Sequence, residues 1–196
     1  MKASFFKRLA AFLIDVMFIT VIAGIATSGI SNSKYEEAYD DYEDIMESYA
    51  EQEITTQEYL EQIGPVSYDM QKASMATSIT TLVLSIAYFM IFQYLNKGQT
   101  LGKKFLRIKV QENGKDPSLK SIIMRTFIID SIFSTLFAIV LVYALNRNSY
   151  YQTYSIISSI EMIFVFVSAA FILYRKDKKG LHDIIAHTEV IDEGGK

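Results

Sequence analysis

Apolar residues in this chain gather into four long blocks, near residues 9–30, 74–95, 121–146 and 150–174, with polar stretches between them. An α-helix rises ~1.5 Å per residue and the hydrocarbon core of a bilayer is ~30 Å thick, so about 20 apolar residues in a row cross it. Each block reaches that length, and the second, SMATSITTLVLSIAYFMIFQYL, does so without a charge. Outside the blocks the periodicity changes. Tyr35, Tyr39, Tyr42, Met46 and Tyr49 recur at spacings of three and four, one face of an amphipathic helix, opened by a capping box of Ser33 and Glu36. Thr55 and Glu58 repeat the capping signal; Tyr59, Leu60 and Ile63 continue the apolar positions, and Gly64-Pro65 is expected to end the second helix. Further on, Leu106, Ile108 and Val110 alternate with Arg107 and Lys109 ahead of the tight-turn pair Asn113-Gly114, which predicts a short surface hairpin. The pattern as a whole predicts an all-α membrane protein with four transmembrane helices, an external acidic helical hairpin and a short cytoplasmic hairpin loop.

The charges are as segregated as the apolar residues. Between residues 31 and 73 twelve acids stand against Lys34 and Lys72, whereas the N-terminus (Lys2, Lys7, Arg8), residues 97–120 and the tail after Arg175 are basic. Lys and Arg beside membrane spans are retained in the cytoplasm, and four crossings put all three basic clusters on one side. Both termini are then cytoplasmic, 31–73 is an external insertion and 175–196 a cytoplasmic tail. The formal net charge of −3 sums over two compartments and says little about partners. A cleaved signal peptide is a poor fit to the first block, because Asp15 sits in the middle of its apolar run. The chain has no cysteine, which excludes disulfides, thiol catalysis and thiolate metal sites. Gly98–Lys104 lacks the spacing of a phosphate-binding P-loop. The basic loops suit lipid phosphates, so the bilayer and not nucleic acid is the expected partner.

Charges inside the spans are the candidate chemistry, since an ionised group in hydrocarbon costs about 2.5–3.5 kcal/mol and usually faces protein or water. Asp15, Asp130 and Glu161 come within ~5–6 Å of one depth by helical rise, so they could share an ion- or proton-binding site. Arg8 and Arg125 enter the first and third spans from the basic side, as counter-charges. Their gaps to Asp15 and Asp130, seven and five residues, do not favour pairing within one helix. Arg8 with Asp130, or Arg125 with Asp15, is the expected cross-helix pairing, which would also serve as a plain interhelical fastener. Glu161 has no cation at its own depth and is the best candidate for a proton-binding carboxyl.

KRLAAFLID at the N-terminus, GQTLGKKFLRIKV in the loop, Arg125 at the third span and GLHDIIAHTEVI in the tail occur in that order between apolar spans. In this the chain resembles the RDD family of bacterial membrane proteins, named for one Arg and two Asp. The resemblance assigns Arg8 as the Arg, Asp15 as the first Asp and Asp183 as the second, and leaves the acidic segment as an insertion. It implies a multi-pass protein of the bacterial cell membrane, for which a transport role is usually presumed. From the residues alone, Asp183 should cap a helix or pair with a basic residue of the cytoplasmic loop, and His182 should titrate near neutrality and sense pH. His182 and His187 are five apart, off one helical face, so no metal site is expected, and neither a cofactor nor catalysis is indicated. Two readings stand: a small secondary transporter or ion/proton exchanger, oligomeric because four helices enclose little volume, taking a small ion or molecule; or a non-catalytic adaptor binding partners through its acidic hairpin and basic cytoplasmic elements.

Overall fold

The computed structural model describes residues 1–30, 32–129 and 132–194. Ser4 caps α1 (Phe5–Thr27) by accepting from the Lys7 amide, and the apolar run then carries the helix for 23 residues. The acidic segment folds as α2 (Ser33–Ala50) and α3 (Thr56–Ala73), an antiparallel pair whose tyrosines meet, with Tyr49 and Tyr59 rings stacked at 4.6 Å. Two local expectations are corrected. Asn32, not Ser33, caps α2, its side-chain oxygen being the one that reaches the Tyr35 amide. Gly64-Pro65 does not end α3; the helix runs on to Ala73, because tertiary packing there outweighs the local stop signal. Gly64 lies against the Asn148 carbonyl, and Arg147 donates to the Pro65 carbonyl and pairs with Asp69.

The second apolar block is α4 (Met75–Leu95), wound with wider π spacing over Ile86–Phe92. Beyond it α5 (Leu101–Phe105) lies along the first turns of α1. The third block is not one helix but two, α6 (Leu119–Ile129) and α7 (Ile132–Ala144), with axes 70° apart. The fourth is α8 (Arg147–Tyr174). Three helices are long and apolar enough to cross a membrane, and four if α6 and α7 together form one span. Their outward side chains, among them Phe6, Met17, Val21 and Ile25 on α1 and Ile156, Ile160, Ile163 and Phe166 on α8, are exposed apolar surface of the kind a bilayer covers.

At the basic end the chain is not purely helical. β1 (Ile108–Glu112) does not fold back within its own loop; it pairs antiparallel with β2 (Thr188–Asp192), Val110 opposite Val190, after the short helix α9 (Leu181–Ile185). Asn113-Gly114 does make the expected turn, both residues at positive φ, but the turn only closes Glu112 onto Lys115. The reason is apolar: Ile108, Val110 and Val190 bury one face of the two strands with Ala3 and Ala11, which a two-stranded local hairpin could not do alone. Residues 181–192 are therefore a folded part of the protein.

Candidate functional site

Among the described residues, buried charge lies in three places. At the basic end, α9 carries Asp183 into the space between α1 and α6, fully buried. Arg8 Nη1 donates to Asp183 Oδ2 and Arg125 Nη1 to Oδ1, each at 2.6 Å. Thr188 of β2 donates to Oδ1 at 3.4 Å, and the Gly180 amide to Oδ2 at 3.1 Å, so Asp183 also caps its own helix. Arg8 reaches further, to the Lys178 carbonyl at 2.6 Å. Burial alone would raise the Asp183 pKa, but the Arg125 and Arg8 guanidinium groups overrule it and hold the carboxyl well below the usual range. This corrects one expected pairing: Arg125 reaches Asp183, and the acceptors on Asp15 are filled by Tyr88, Thr100 and Gly102. Both arginines converge on Asp183, whose guanidinium partners come from α1 and α6, not from the loop. Asp130 lies outside the described residues.

Asp15 is served separately. Its carboxylate accepts from Tyr88 Oη (2.6 Å), Thr100 Oγ1 (2.5 Å) and the Gly102 amide (2.7 Å), while Tyr88 Oη accepts from the Leu101 amide. The Asp15 site thus ties α1 to the π segment of α4 and to α5. Gly102 is required by close approach: a Cβ there would collide with the Ala11 carbonyl and lie 2.9 Å from Asp15 Cγ. Thr100 caps α5 through the Lys103 amide, a Thr-x-x-Lys start legible in sequence; Tyr88, Ser168 and Thr188 carried no such signal.

His182 is buried, its Nδ1 2.5 Å from Ser168 Oγ on α8 and its Nε2 3.4 Å from Asp183 Oδ1. Burial, with the arginines nearby, pushes its pKa down to about 3, below the near-neutral value expected of it, which favours the neutral imidazole in the fold.

Glu161 stands apart, at the middle of the 28-residue α8, and is buried. Ser134 of α7 hydrogen-bonds to it, yet Glu161 Oε1 has no partner, and among the described residues no ion pair reaches it. Asp15 and Glu161 share none of these hydrogen-bonding partners. A family model described as the RDD family matches residues 2–187. No curated protein and no solved structure matches the chain.

Proposed function

This chain belongs to the RDD family of multi-pass membrane proteins, and we propose that it is a small ion- or proton-translocating protein whose working group is the Glu161 carboxyl. The observation that supports the reading is the contrast among its buried carboxylates. Asp15 and Asp183 are saturated with donors, which suits fasteners; Glu161 keeps one oxygen bare in the middle of an apolar helix. An unpaired carboxylate in hydrocarbon is unfavourable, so the group holds a proton or a small cation there, with Ser134 beside it as a further oxygen ligand. Arg8 and Arg125 then hold the fold, not the cargo. The positive-inside pattern supports an orientation with both termini in the cytoplasm and the acidic hairpin outside.

The test is proton flux in proteoliposomes under an imposed Na⁺ or K⁺ gradient, read with an interior pH dye. Glu161→Gln keeps shape and removes the exchangeable charge; flux is expected to fall to the leak of empty liposomes while the melting temperature holds. Undiminished flux in that variant would end the proposal. The adaptor reading has its own support, since Glu37, Asp41 and Asp44 are among the acids that α2 presents to solvent. It is favoured if deleting 34–70 removes a co-purifying protein and Glu161→Gln moves nothing.

A further inference from the structure

By sequence the short helix α5 belongs to a basic loop, yet it docks well along the span of α1. The Gly102 amide donates to Asp15, and a Cβ on Gly102 would run into the Ala11 carbonyl. Asp15 is ten residues beyond Phe5, ~15 Å along the helix axis. If water began at that level, only the 13 residues from Asp15 to Thr27 would be left to cross the hydrocarbon, and they reach ~20 Å of the ~30 Å needed. Phe6, Leu9 and Leu13, on the turns before Asp15, are exposed apolar side chains, so the lipid-facing surface runs back to the start of the helix. A spanning α1 therefore carries Gly102 into the bilayer with it.

The backbone of α5 is satisfied as a segment in lipid requires. Amides in a first helical turn lack intrahelical acceptors and at a protein surface are left to water. Here Leu101 donates to Tyr88 Oη at 3.0 Å, Gly102 to Asp15 Oδ1 at 2.7 Å and Lys103 to Thr100 Oγ1 at 3.4 Å, and Lys104 makes the first intrahelical bond, to the Thr100 carbonyl at 2.9 Å. Tyr88 and Asp15 are buried side chains of α4 and α1. Hydrocarbon supplies no acceptors, so chain that enters it must find them in protein. The outer face fits the same surroundings. Leu101 and Phe105, one turn apart, are 38% and 78% exposed, and they border an open hollow with Lys104 and Ile14 of α1. A phenyl ring that bare is unfavourable in water and ordinary among acyl chains. Lys104 is exposed beside it, with an apolar stem that lets its ammonium reach back toward the phosphate layer.

We propose that α5 is a re-entrant element seated in the bilayer leaflet at the basic end, with Leu101 and Phe105 among the acyl chains. Lipid is then the partner of the Leu101–Phe105 face, and Asp15 is the buried anchor that holds this backbone in the membrane. The inference rests on α1 crossing the bilayer and is independent of any ion movement through Glu161.

The chain has no tryptophan, so one introduced indole is the only one present. Full-length Phe105→Trp, Met17→Trp and Lys115→Trp are reconstituted separately in phosphatidylcholine vesicles, with and without bromine on the acyl chains, and titrated with iodide present on both faces. Met17, exposed near the middle of α1, reports hydrocarbon, and Lys115, exposed in the basic turn, reports water. Phe105→Trp is expected to follow Met17→Trp, with blue-shifted emission, most of it lost to brominated lipid and little of it to iodide. Leu101→Trp carries the same expectation should Phe105→Trp fail to fold. Quenching of Phe105→Trp by iodide as strong as that of Lys115→Trp, with brominated lipid acting on Met17→Trp alone, would overturn the proposal and leave α1 in the bilayer. Loss of bromolipid quenching at both positions would overturn the spanning of α1 as well.

Discussion

Asp183 holds two guanidinium groups at 2.6 Å each with no solvent in reach, and its neighbour His182 must stay neutral beside them. A histidine free in solution titrates near 6.5, whereas His182 in the fold titrates near 3. Between these values the unfolded chain takes up a proton that the folded chain refuses. Stability therefore falls as pH falls through that range, by up to about 1.4 kcal/mol per pH unit. Asp183 works in the other direction of charge: its contribution is present above the ordinary aspartate pKa and is lost only in stronger acid. The loss of stability through His182 thus lies between pH 6.5 and about 4.5, above the range in which Asp183 acts. Melting temperatures of the detergent-solubilised protein should drop across that window, and His182→Gln should flatten the slope. An unchanged slope in the variant would assign the acid sensitivity elsewhere.

Among the elements, α5 is one of the shortest, five residues with two lysines, and yet it carries hydrogen bonds that satisfy Asp15. Its docking depends on the absence of a side chain at Gly102. Gly102→Ala should cost about 1–3 kcal/mol through the forced backbone shift, with faster tryptic cleavage at Lys103 and Lys104. Gly24→Ala, where an added Cβ meets nothing, is the control expected to leave both readouts alone. These contacts also explain what could be read in advance. The spans, the tyrosine-faced hairpin and the Asn113-Gly114 turn follow from local periodicity and turn chemistry, and sequence shows both directly. β1 pairing with β2 across some 80 residues, and Asp183 meeting Arg8 across 175, are long-range choices decided by which apolar faces and which charges remain to be covered. Local pattern placed Arg8 and Arg125 as entrants to the membrane, but nothing local says that a carboxylate in the last turn before β2 is their shared partner.

At the scale of the molecule, polar material collects at opposite ends. Lys2 bridges to Ile191, the β1–β2 pair sits over the start of α1, and α5 docks there too, so all three basic segments form one body. The acidic hairpin follows the far end of α1 and packs through α3 on α8. The length of α8 makes this workable: 28 residues reach ~42 Å, more than the ~30 Å hydrocarbon core, so its first turns can stand clear of the bilayer and bury Tyr150 beside Tyr68. Because the chain has no cysteine, single introduced thiols test this arrangement cleanly. Glu51→Cys at the hairpin tip and Lys115→Cys in the basic turn are both exposed positions outside the ion-paired network. On the proposed orientation, with the basic end in the cytoplasm, an impermeant maleimide should label Glu51→Cys on intact cells and Lys115→Cys only after permeabilisation. The reverse result would keep the membrane-spanning fold and invert its orientation, whereas labelling of both positions from one side would mean that the apolar helices do not separate these two ends.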